Sequence, residues 1–341
     1  MVYIKLFKTE QERQACTDTY EYVSYTEESD KVNIHYEQFF CKLTLNNGEV
    51  IEIEGSGELT SAMTIQYSAT TVSAEIGSLC TSIGDFAFCD AENYFGFGLL
   101  TTVNIPNSVT SIGNGAFGYC SSLTSINIPD SVTSIGNGAF SRCSGLTSIN
   151  IPDSVTSIGN SAFSRCSGLT SINIPDSVTS IGMAVFSSCI ALTSVTIGNS
   201  VTSIRDSAFI SCSGLTSITI PDSVTSIENY AFKKCLGLTS VTIGNSVTSI
   251  GQSAFEGCSG LTSITIPDSV TSIGSSAFYN CSGLTSITSL ATTAPTIKNN
   301  TFRNVKTDGK LYVPSGSSGY DTWMQNANYY LGLYGWTKVE Q

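Results

Sequence analysis

One 23-residue stretch recurs along most of this 341-residue chain. Residues 123–145 read LTSINIPDSVTSIGNGAFSRCSG, and residues 146–168 repeat them with one change, from Gly138 to Ser161. Self-similarity at a fixed period of this length is typical of solenoids, in which each repeat forms one coil. The repeat therefore constrains the fold more strongly than any local pattern of residues does.

Two apolar residue types mark the period along the chain. Leucines recur 23 residues apart at Leu100, Leu123, Leu146, Leu169, Leu192, Leu215, Leu238, Leu261 and Leu284. Phenylalanines recur with the same spacing at Phe117, Phe140, Phe163, Phe186, Phe209, Phe232, Phe255 and Phe278. The period lies in the range of leucine-rich solenoids.

Each repeat contains the signals for two short strands and a turn. Ile126 and Ile128 are two residues apart, so both side chains point to one face of a strand. Pro129 ends that strand because proline has no backbone donor. Residues 132–135 form a second extended piece, and residues 136–143 are long enough for about one helical turn. We expect eight inward positions per repeat: Leu, Ile, Ile, Val, Ile, Ala, Phe and Cys.

One coil cannot be stable alone. Burying a large apolar side chain stabilises by about 1.5 to 3 kcal/mol, whereas ordering each residue costs about 1.5 kcal/mol. Stacked coils bury the same side chains against copies of themselves, with paired strands about 4.8 Å apart. The sequence therefore predicts a β-rich right-handed solenoid of leucine-rich repeats with short helical turns and about ten coils.

The ends of the chain depart from the repeat, as the exposed ends of a solenoid require. Residues 1–58 contain a strand pattern (VYIKLF), a hairpin pattern (YVSYTEESDKVNIHY) and a second hairpin with an Asn-Asn-Gly turn (CKLTLNNGEVIEIE). The predicted domains are a small β-rich N-terminal domain (1–58), an N-terminal capping coil with an inserted aromatic loop (59–99), the solenoid of 23-residue units (100–290) and a C-terminal cap (291–341).

The pattern LxxIxIPxSVTSIGxxAFxxC, from residue 76 to about residue 302, resembles the 23-residue irregular leucine-rich repeat of the BspA-like family of bacterial surface proteins. The C-terminal LYVPSGSSGYDTW, followed by GWTKVE, is similar to the element that often closes such arrays. The resemblance implies adhesion or ligand binding by a repeat surface, and it supplies no catalytic residues. The stretch YVSYTEESDKVNIHY also resembles a segment of virion proteins of phages that infect gut bacteria.

Charge and hydropathy exclude some partners. The formal net charge is −12 and only 12% of residues are charged. We expect no nucleic-acid partner, because such binding depends on Lys and Arg neutralising phosphates. The longest apolar runs are a few residues, so we expect no membrane insertion. The first residues, MVYIKLFKTEQERQA, lack the apolar core and cleavage site of a secretory signal. Retention in the cell, a trimmed chain or another export route all fit this observation.

One column of the repeat holds cysteine. Two alternatives are a buried ladder of reduced thiols, which we favour, and disulfide or zinc sites, for which paired spacings such as C-x-x-C are lacking. The members of this cysteine column are Cys120, Cys143, Cys166, Cys189, Cys212, Cys235, Cys258 and Cys281.

A second column holds aspartate, interrupted by Asn199 and Asn245. Stacked carboxylates could hold Ca²⁺, but the free exchange with asparagine favours a hydrogen bond from each side chain to its own turn. We therefore expect no metal. The aspartates are Asp130, Asp153, Asp176, Asp222 and Asp268. His35 is the only histidine, which excludes a Ser-His-Asp triad within the repeats.

Function is expected where the repeats differ from one another. The two positions after each Phe vary most, and they provide the candidate binding residues Tyr119, Arg142, Arg165, Lys233, Lys234 and Tyr279. Unconstrained surface drift is the alternative. Six additional residues enter around CDAENYFGFG and add the candidates Tyr94, Phe95 and Phe97, which either cover the first coil or form a recognition loop. The aromatic residues near the C-terminus are expected to pack in the cap.

These features predict a non-enzymatic binding or adhesion protein, located extracellularly or at the cell surface. Its extended repeat surface would contact a protein or glycan on a host or neighbouring cell, with no cofactor, no catalytic residue and no metal. The alternative is a virion or tail-associated structural or receptor-binding protein of a phage of gut bacteria.

Overall fold

The computed structural model describes residues 23–28, 31–36, 39–90, 92–93 and 95–341. Contacts between residues divide the chain into two compact units, Met1–Phe39 and Phe40–Gln341. The second unit contains all of the repeats.

The first unit contains an antiparallel hairpin. Strand Val23–Glu28 pairs with strand Lys31–Tyr36, so that Val23 lies opposite Tyr36. This confirms the hairpin predicted from YVSYTEESDKVNIHY. The strand predicted for VYIKLF lies outside the described residues.

The second unit opens with another hairpin. Strand Cys41–Leu45 pairs antiparallel with Val50–Ile53 around the predicted Asn-Asn-Gly turn, in which Gly48 has a left-handed φ of 86°. Strand Cys41–Leu45 also pairs with Thr71–Ile76, which in turn pairs with the first strand of the repeats. Because of this pairing, the contacts place the division at Phe39, whereas the sequence analysis placed it at residue 58.

The repeats form a solenoid of about 12 turns, more than the ten expected, because coils before and after the regular repeats also stack. Each regular coil contributes one or two short strands, which pair in parallel with the strands 23 residues away. The strands that end at the fifth inward position are Cys80–Ile83, Ser111–Ile112, Ser134–Ile135, Ser157–Ile158, Ser180–Ile181, Ser203–Ile204, Ser226–Ile227, Ser249–Ile250 and Ser272–Ile273. The strands that follow the Leu column are Thr102–Asn104, Ser171–Ile174, Ser194–Ile197, Ser217–Thr219, Ser240–Thr242, Ser263–Ile266 and Ser286–Ser289.

The remaining elements are short and lie outside the regular repeats. They are strand Gly57–Leu59, helix Ser61–Thr64, 3₁₀ helix Ile65–Tyr67, strands Cys89–Asp90 and Phe95–Gly96, strand Lys310–Val313, 3₁₀ helix Leu331–Tyr334 and strand Thr337–Glu340. Within the described part of the chain, no helix has the length and apolarity needed to cross a membrane.

The core is a set of stacked columns. The predicted inward positions are buried: for example, Leu146, Phe140 and Cys143 are 0% exposed. Neighbouring phenylalanine rings stack nearly parallel from Phe88 to Phe302, with centroids 5.1 to 5.8 Å apart. This arrangement confirms that each coil completes its core only against its neighbours.

Aromatic side chains cover both ends of the phenylalanine stack. At one end Phe97 packs edge-on against Phe88, with ring centroids 5.3 Å apart. At the other end Trp323 lies 5.3 Å from Phe302, and Tyr320 packs against Trp323. The predicted C-terminal cap stays a prediction as a domain, but its Trp and Tyr side chains protect the last apolar ring.

The helical turn expected in each repeat is replaced by a chain of tighter turns. In residues 136–146, backbone N–H groups donate three residues back, as from Cys143 to Phe140. Gly138 and Arg142 interrupt these turns with left-handed φ values of 60° and 64°. A helix cannot include such residues, so residues 100–290, all of which the structure describes, contain no helix.

Candidate functional site

The second position after each Phe has the same backbone geometry in nine successive coils. We call this set the left-handed column, because its φ values lie between 59° and 74°. Its members are Tyr119, Arg142, Arg165, Ser188, Ser211, Lys234, Gly257, Asn280 and Asn304. From Tyr119 to Asn280, each backbone N–H donates to a carbonyl of the next coil at 2.7 to 2.8 Å, as from Arg142 to Ser164. The geometry thus holds neighbouring coils together.

Backbone preference does not explain the side chains of the left-handed column. This conformation costs an ordinary residue about 1 to 2 kcal/mol, and only Gly and, to a lesser degree, Asn adopt it readily. Gly257, Asn280 and Asn304 fit that preference. The other six members, Tyr119, Arg142, Arg165, Ser188, Ser211 and Lys234, do not. Of these six, Tyr119, Arg142 and Arg165 line a common depression.

These three side chains meet an exposed ring of the inserted loop in one open depression, which we call the N-terminal groove. Its volume is about 410 Å³, and it is lined by Phe95, Gly96, Gly98, Tyr119, Ser121, Arg142, Ser144 and Arg165. The guanidinium carbon of Arg142 lies 4.9 Å from the centroid of the Tyr119 ring, within the range of a cation–π contact. Arg142 and Arg165 are both exposed to solvent.

The N-terminal groove is a local positive site on an acidic protein. Among the described residues, its lining holds two arginines and no carboxylate, although the chain carries 27 acidic residues against 15 basic ones. Some other cations among the described residues have acidic partners, such as Lys233 with Glu256 and Arg205 with Glu228. No ion pair in the described part of the chain involves Arg142 or Arg165.

The residues of the inserted loop have different environments. Phe95 is 48% exposed and lines the N-terminal groove. The assignment of Phe97 as a binding residue was wrong, because its side chain is 0% exposed and packs against Phe88. Phe97 covers the open end of the phenylalanine stack, which would otherwise expose a ring to water. Tyr94 lies outside the described residues.

The other three predicted site residues lie outside the N-terminal groove. Lys233 pairs with Glu256 at 3.1 Å and lies over the ring of Tyr230. Lys234 is exposed in the left-handed column. Tyr279 contacts the guanidinium of Arg303, with 5.6 Å between the guanidinium carbon and the ring centroid. The structure therefore brings together Phe95, Tyr119, Arg142 and Arg165.

The cysteine column is part of the core. All eight side chains are 0% exposed, and from Cys143 to Cys281 each thiol donates at 3.1 Å to the carbonyl of the Phe 26 residues before it. Burial raises the pKa of Cys166, Cys212 and Cys281 to about 12. These thiols are therefore neutral, weakly nucleophilic groups that fill space and satisfy backbone carbonyls.

The aspartate column also connects coils. Asp176 and Asp222 accept hydrogen bonds at 2.7 Å from the backbone N–H groups of Asn199 and Asn245 in the following coils. The expectation of a bond within the same turn was wrong for these two residues, because the next coil brings a donor closer. Among the described residues, no group of three His, Cys, Asp or Glu side chains could hold a metal ion.

An asparagine ladder was missed in the sequence analysis. The side-chain oxygens of Asn114, Asn137 and Asn160 accept backbone N–H groups of the next coil at 2.7 to 2.8 Å. The Asn that follows Ser-Ile-Gly in three successive repeats was the available signal. Asp85 begins the ladder by accepting from Asn114 at 2.6 Å. These polar side chains are thus used to hold coils together.

Solved structures similar to this chain are bacterial leucine-rich repeat proteins. One is a leucine-rich repeat protein from Bacteroides ovatus, 23% identical, with a TM-score of 0.49 over 95% of this chain and 100% of that chain. Another is the leucine-rich repeat protein of T. pallidum, 30% identical, with a TM-score of 0.46 over 56% of this chain and 83% of that chain. A third is a leucine-rich cell surface protein from Faecalibacterium prausnitzii, 27% identical, with a TM-score of 0.41 over 90% of this chain and 96% of that chain.

No curated protein matches this chain in sequence. The family model described as the BspA type leucine-rich repeat region, in six copies, matches residues 81–216 and 202–319, which is more than half of the chain. The matched residues carry the stacked Leu, Phe and cysteine columns described above, together with every lining residue of the N-terminal groove. The chain therefore belongs to the BspA-type leucine-rich repeat family.

Proposed function

We propose that this chain is a non-enzymatic adhesion protein that acts at the cell surface or outside the cell. Its repeats present a binding surface to a protein or glycan on a host or neighbouring cell. One observation carries the proposal: the N-terminal groove combines exposed aromatic and guanidinium groups, and no carboxylate of the described residues lines it. Aromatic residues and arginine are the types most enriched at the energetic centres of binding surfaces.

The solenoid supports such a site mechanically. Arg142 and Arg165 lie on backbone that is fixed by hydrogen bonds to the next coil and by the stacked Phe column beneath. A side chain held by a rigid scaffold loses less conformational freedom on binding, and this favours affinity. Elsewhere on the repeats the hydroxyl groups serve the scaffold, since Ser131 and Ser154 donate to carbonyls of the preceding coils.

The test is binding of the purified protein to a panel of bacterial and host epithelial cells. The variant Arg142→Asn/Arg165→Asn removes both cations while placing asparagine where the left-handed column already accepts it. The control Lys298→Ala/Lys306→Ala removes the same charge from two exposed positions outside the N-terminal groove. We expect at least tenfold weaker binding for the first variant and unchanged binding for the control. Equal binding by both would contradict the proposed site.

The virion alternative depends on the hairpin Val23–Tyr36 and stays a prediction. It is distinguished by mass spectrometry of purified phage particles from the source community. Peptides of this chain in particles would support the alternative, and their absence from particles with recovery in the bacterial surface fraction would support adhesion.

A further inference from the structure

We infer that the N-terminal groove binds the carboxylate of an acidic saccharide. The inference rests on the proposed adhesion function and names the ligand class. It starts from a geometric observation: two guanidinium groups and two aromatic rings share one open depression with serine hydroxyls, and its described lining has no acidic side chain.

Arg142 combines a ring contact with an exposed cation. Its guanidinium carbon lies 4.9 Å from the centroid of the Tyr119 ring, within the range of a cation–π contact. A guanidinium carries forked N–H donors that match the two oxygens of a carboxylate. No hydrogen bond or ion pair of the described residues uses the Arg142 side chain apart from this ring contact.

Arg165 adds a second cation one coil away. Successive coils lie about 4.8 Å apart, so the two guanidinium groups repel each other unless an anion lies between or beside them. The carboxylate of Asp90, on the inserted loop, accepts hydrogen bonds from the backbone of Glu92 and Asn93 and from the Asn93 side chain. The ligand inferred here supplies an external anion beside the two arginines of the N-terminal groove.

The remaining lining fits a sugar ring. Phe95 offers an exposed aromatic face that can pack against the apolar C–H face of a saccharide, while Ser121 and Ser144 offer exposed hydroxyls to its polar edge. The same column, the residue after each Cys, holds the exposed apolar residues Ile190 and Leu236 in later coils. The fold thus accepts apolar side chains at this position in later coils. In the N-terminal groove the same position holds serine, which provides a hydroxyl group.

An acidic peptide is the alternative occupant, because clusters of arginine also recognise acidic peptide motifs. The saccharide is favoured by the half-exposed ring of Phe95 and the exposed Ser121 and Ser144 in the same lining. The N-terminal groove lies on the turn segments of the coils. The groove crosses four coils, from Phe95 to Arg165, or roughly 15 Å at the coil spacing. That length suits a short oligosaccharide.

Calorimetric titration of the full chain tests the ligand class. The probes are trigalacturonate and sialyllactose, which carry carboxylates on different sugars, each beside its own methyl ester as a neutral match, and a tri-glutamate peptide as the alternative class. We expect at least one free acid to bind at least tenfold more tightly than its ester. The two acids distinguish a plant-type uronate from a host-type sialate.

Three variants separate recognition from folding and from net charge. Arg142→Asn/Arg165→Asn should weaken binding of the acid at least tenfold, with a melting temperature equal to or above that of the parent. Arg142→Lys/Arg165→Lys keeps both charges but removes the forked donors, and it should also weaken binding. Lys298→Ala/Lys306→Ala should bind like the parent.

The outcomes are separable from those of the proposed function. Equal binding of acid and ester, or binding of the tri-glutamate peptide without either saccharide, overturns the inference. If no saccharide binds but cell binding still depends on Arg142 and Arg165, the ligand class is wrong and the adhesion site stands. If cell binding is independent of both arginines, the adhesion site itself is wrong.

Discussion

At Arg165 the backbone and the side chain have different requirements. The backbone is left-handed, with a φ of 61°, and it donates to Ser187 of the next coil. The side chain is an exposed arginine next to another arginine. A position selected for stability alone would hold glycine or asparagine, as the same column does at Gly257 and Asn280. Conflict between local preference and residue type is expected at functional positions.

This conflict predicts that loss of function at Arg165 increases stability. Arg165→Asn should raise the free energy of unfolding by up to about 1 kcal/mol, because asparagine adopts the left-handed region at lower cost. Urea unfolding of the variant and the parent measures the difference. The control is Ser211→Asn, which lies in the left-handed column but outside the N-terminal groove. It should raise the free energy of unfolding by a similar amount. Destabilisation of both variants would contradict the backbone argument.

The buried thiols predict a stability that falls in alkali. Burial raises the pKa of Cys166 from 9.0 to about 12, and similarly for Cys212 and Cys281. Between pH 9 and pH 12 the unfolded chain has released these protons and the folded chain has kept them. The unfolded state then binds fewer protons, so the free energy of unfolding decreases as the pH rises through this range. Below about pH 9 the thiols make no such change.

Urea unfolding at several pH values between about 9 and 11 measures this slope. Cys166→Ala should make this slope shallower by up to about 1.4 kcal/mol per pH unit, because one fewer thiol releases a proton on unfolding. The matched control Ser167→Ala changes a neighbouring residue that does not titrate. A slope that is the same in Cys166→Ala and in the parent would show that the thiols are not the titrating groups.

At the scale of the elements, close approach of successive coils governs the residue after each Ser-Ile strand. A Cβ built on Gly159 would lie 2.5 Å from the backbone nitrogen of Asn137 in the preceding coil. The exceptions in this glycine column are Arg205 and Glu228. In the described strands, parallel pairing is continuous as far as Ser180–Ile181 and resumes at Ser203–Ile204, beside the first exception. The break accompanies Arg205 alone, because pairing continues on both sides of Glu228.

The glycine column gives a direct test of coil packing. Gly159→Ala should lower the free energy of unfolding by about 1 to 3 kcal/mol or more, because rigid backbone surrounds the added methyl group. Gly98→Ala is the control, since the nearest atom to its Cβ is 3.9 Å away. Thermal unfolding of both variants compares them. Equal stability of the two variants would contradict the packing of coils described here.

The sequence predicted burial correctly for those columns in which every residue has the same structural role. The Leu, Phe and Cys columns were predicted to be buried because apolar residues at a fixed period must face a shared core, and they are. It was wrong about the helical turn and about Phe97. Helical length was judged from the number of residues in the segment, whereas the φ signs at Gly138 and Arg142 depend on hydrogen bonds to the next coil. Phe97 lies in an insertion that occurs once, so no equivalent residue in another repeat was available to predict its burial.

The candidate site was predictable in part for the same reason. Comparison between repeats identified Tyr119, Arg142 and Arg165 as variable positions, and Phe95 came from the break in the period. Their convergence in one depression required the path of the inserted loop, which the period does not determine. Lys233 was misleading as a candidate because its partner Glu256 occupies the equivalent position one coil later and neutralises it.

For the whole molecule, stability should depend on contacts between neighbouring coils. Deleting residues 238–260, one complete period, joins Gly237 to Leu261 and restores every column, so we expect a shorter protein that still unfolds cooperatively. Deleting only residues 238–247 shifts the columns against one another and should abolish cooperative unfolding. Circular dichroism during heating compares the two. Loss of cooperative folding in the full-period deletion would contradict the solenoid organisation.

We propose that the distal coils are interchangeable structure and that recognition belongs to the N-terminal groove. The most direct measurement is the dissociation constant of the 238–260 deletion for cells that the parent protein binds. The deletion leaves Phe95, Tyr119, Arg142 and Arg165 in place, so the account predicts a dissociation constant within about twofold of the parent, a difference below roughly 0.5 kcal/mol. A folded deletion that binds at least tenfold more weakly would contradict the claim and assign recognition to the distal repeats.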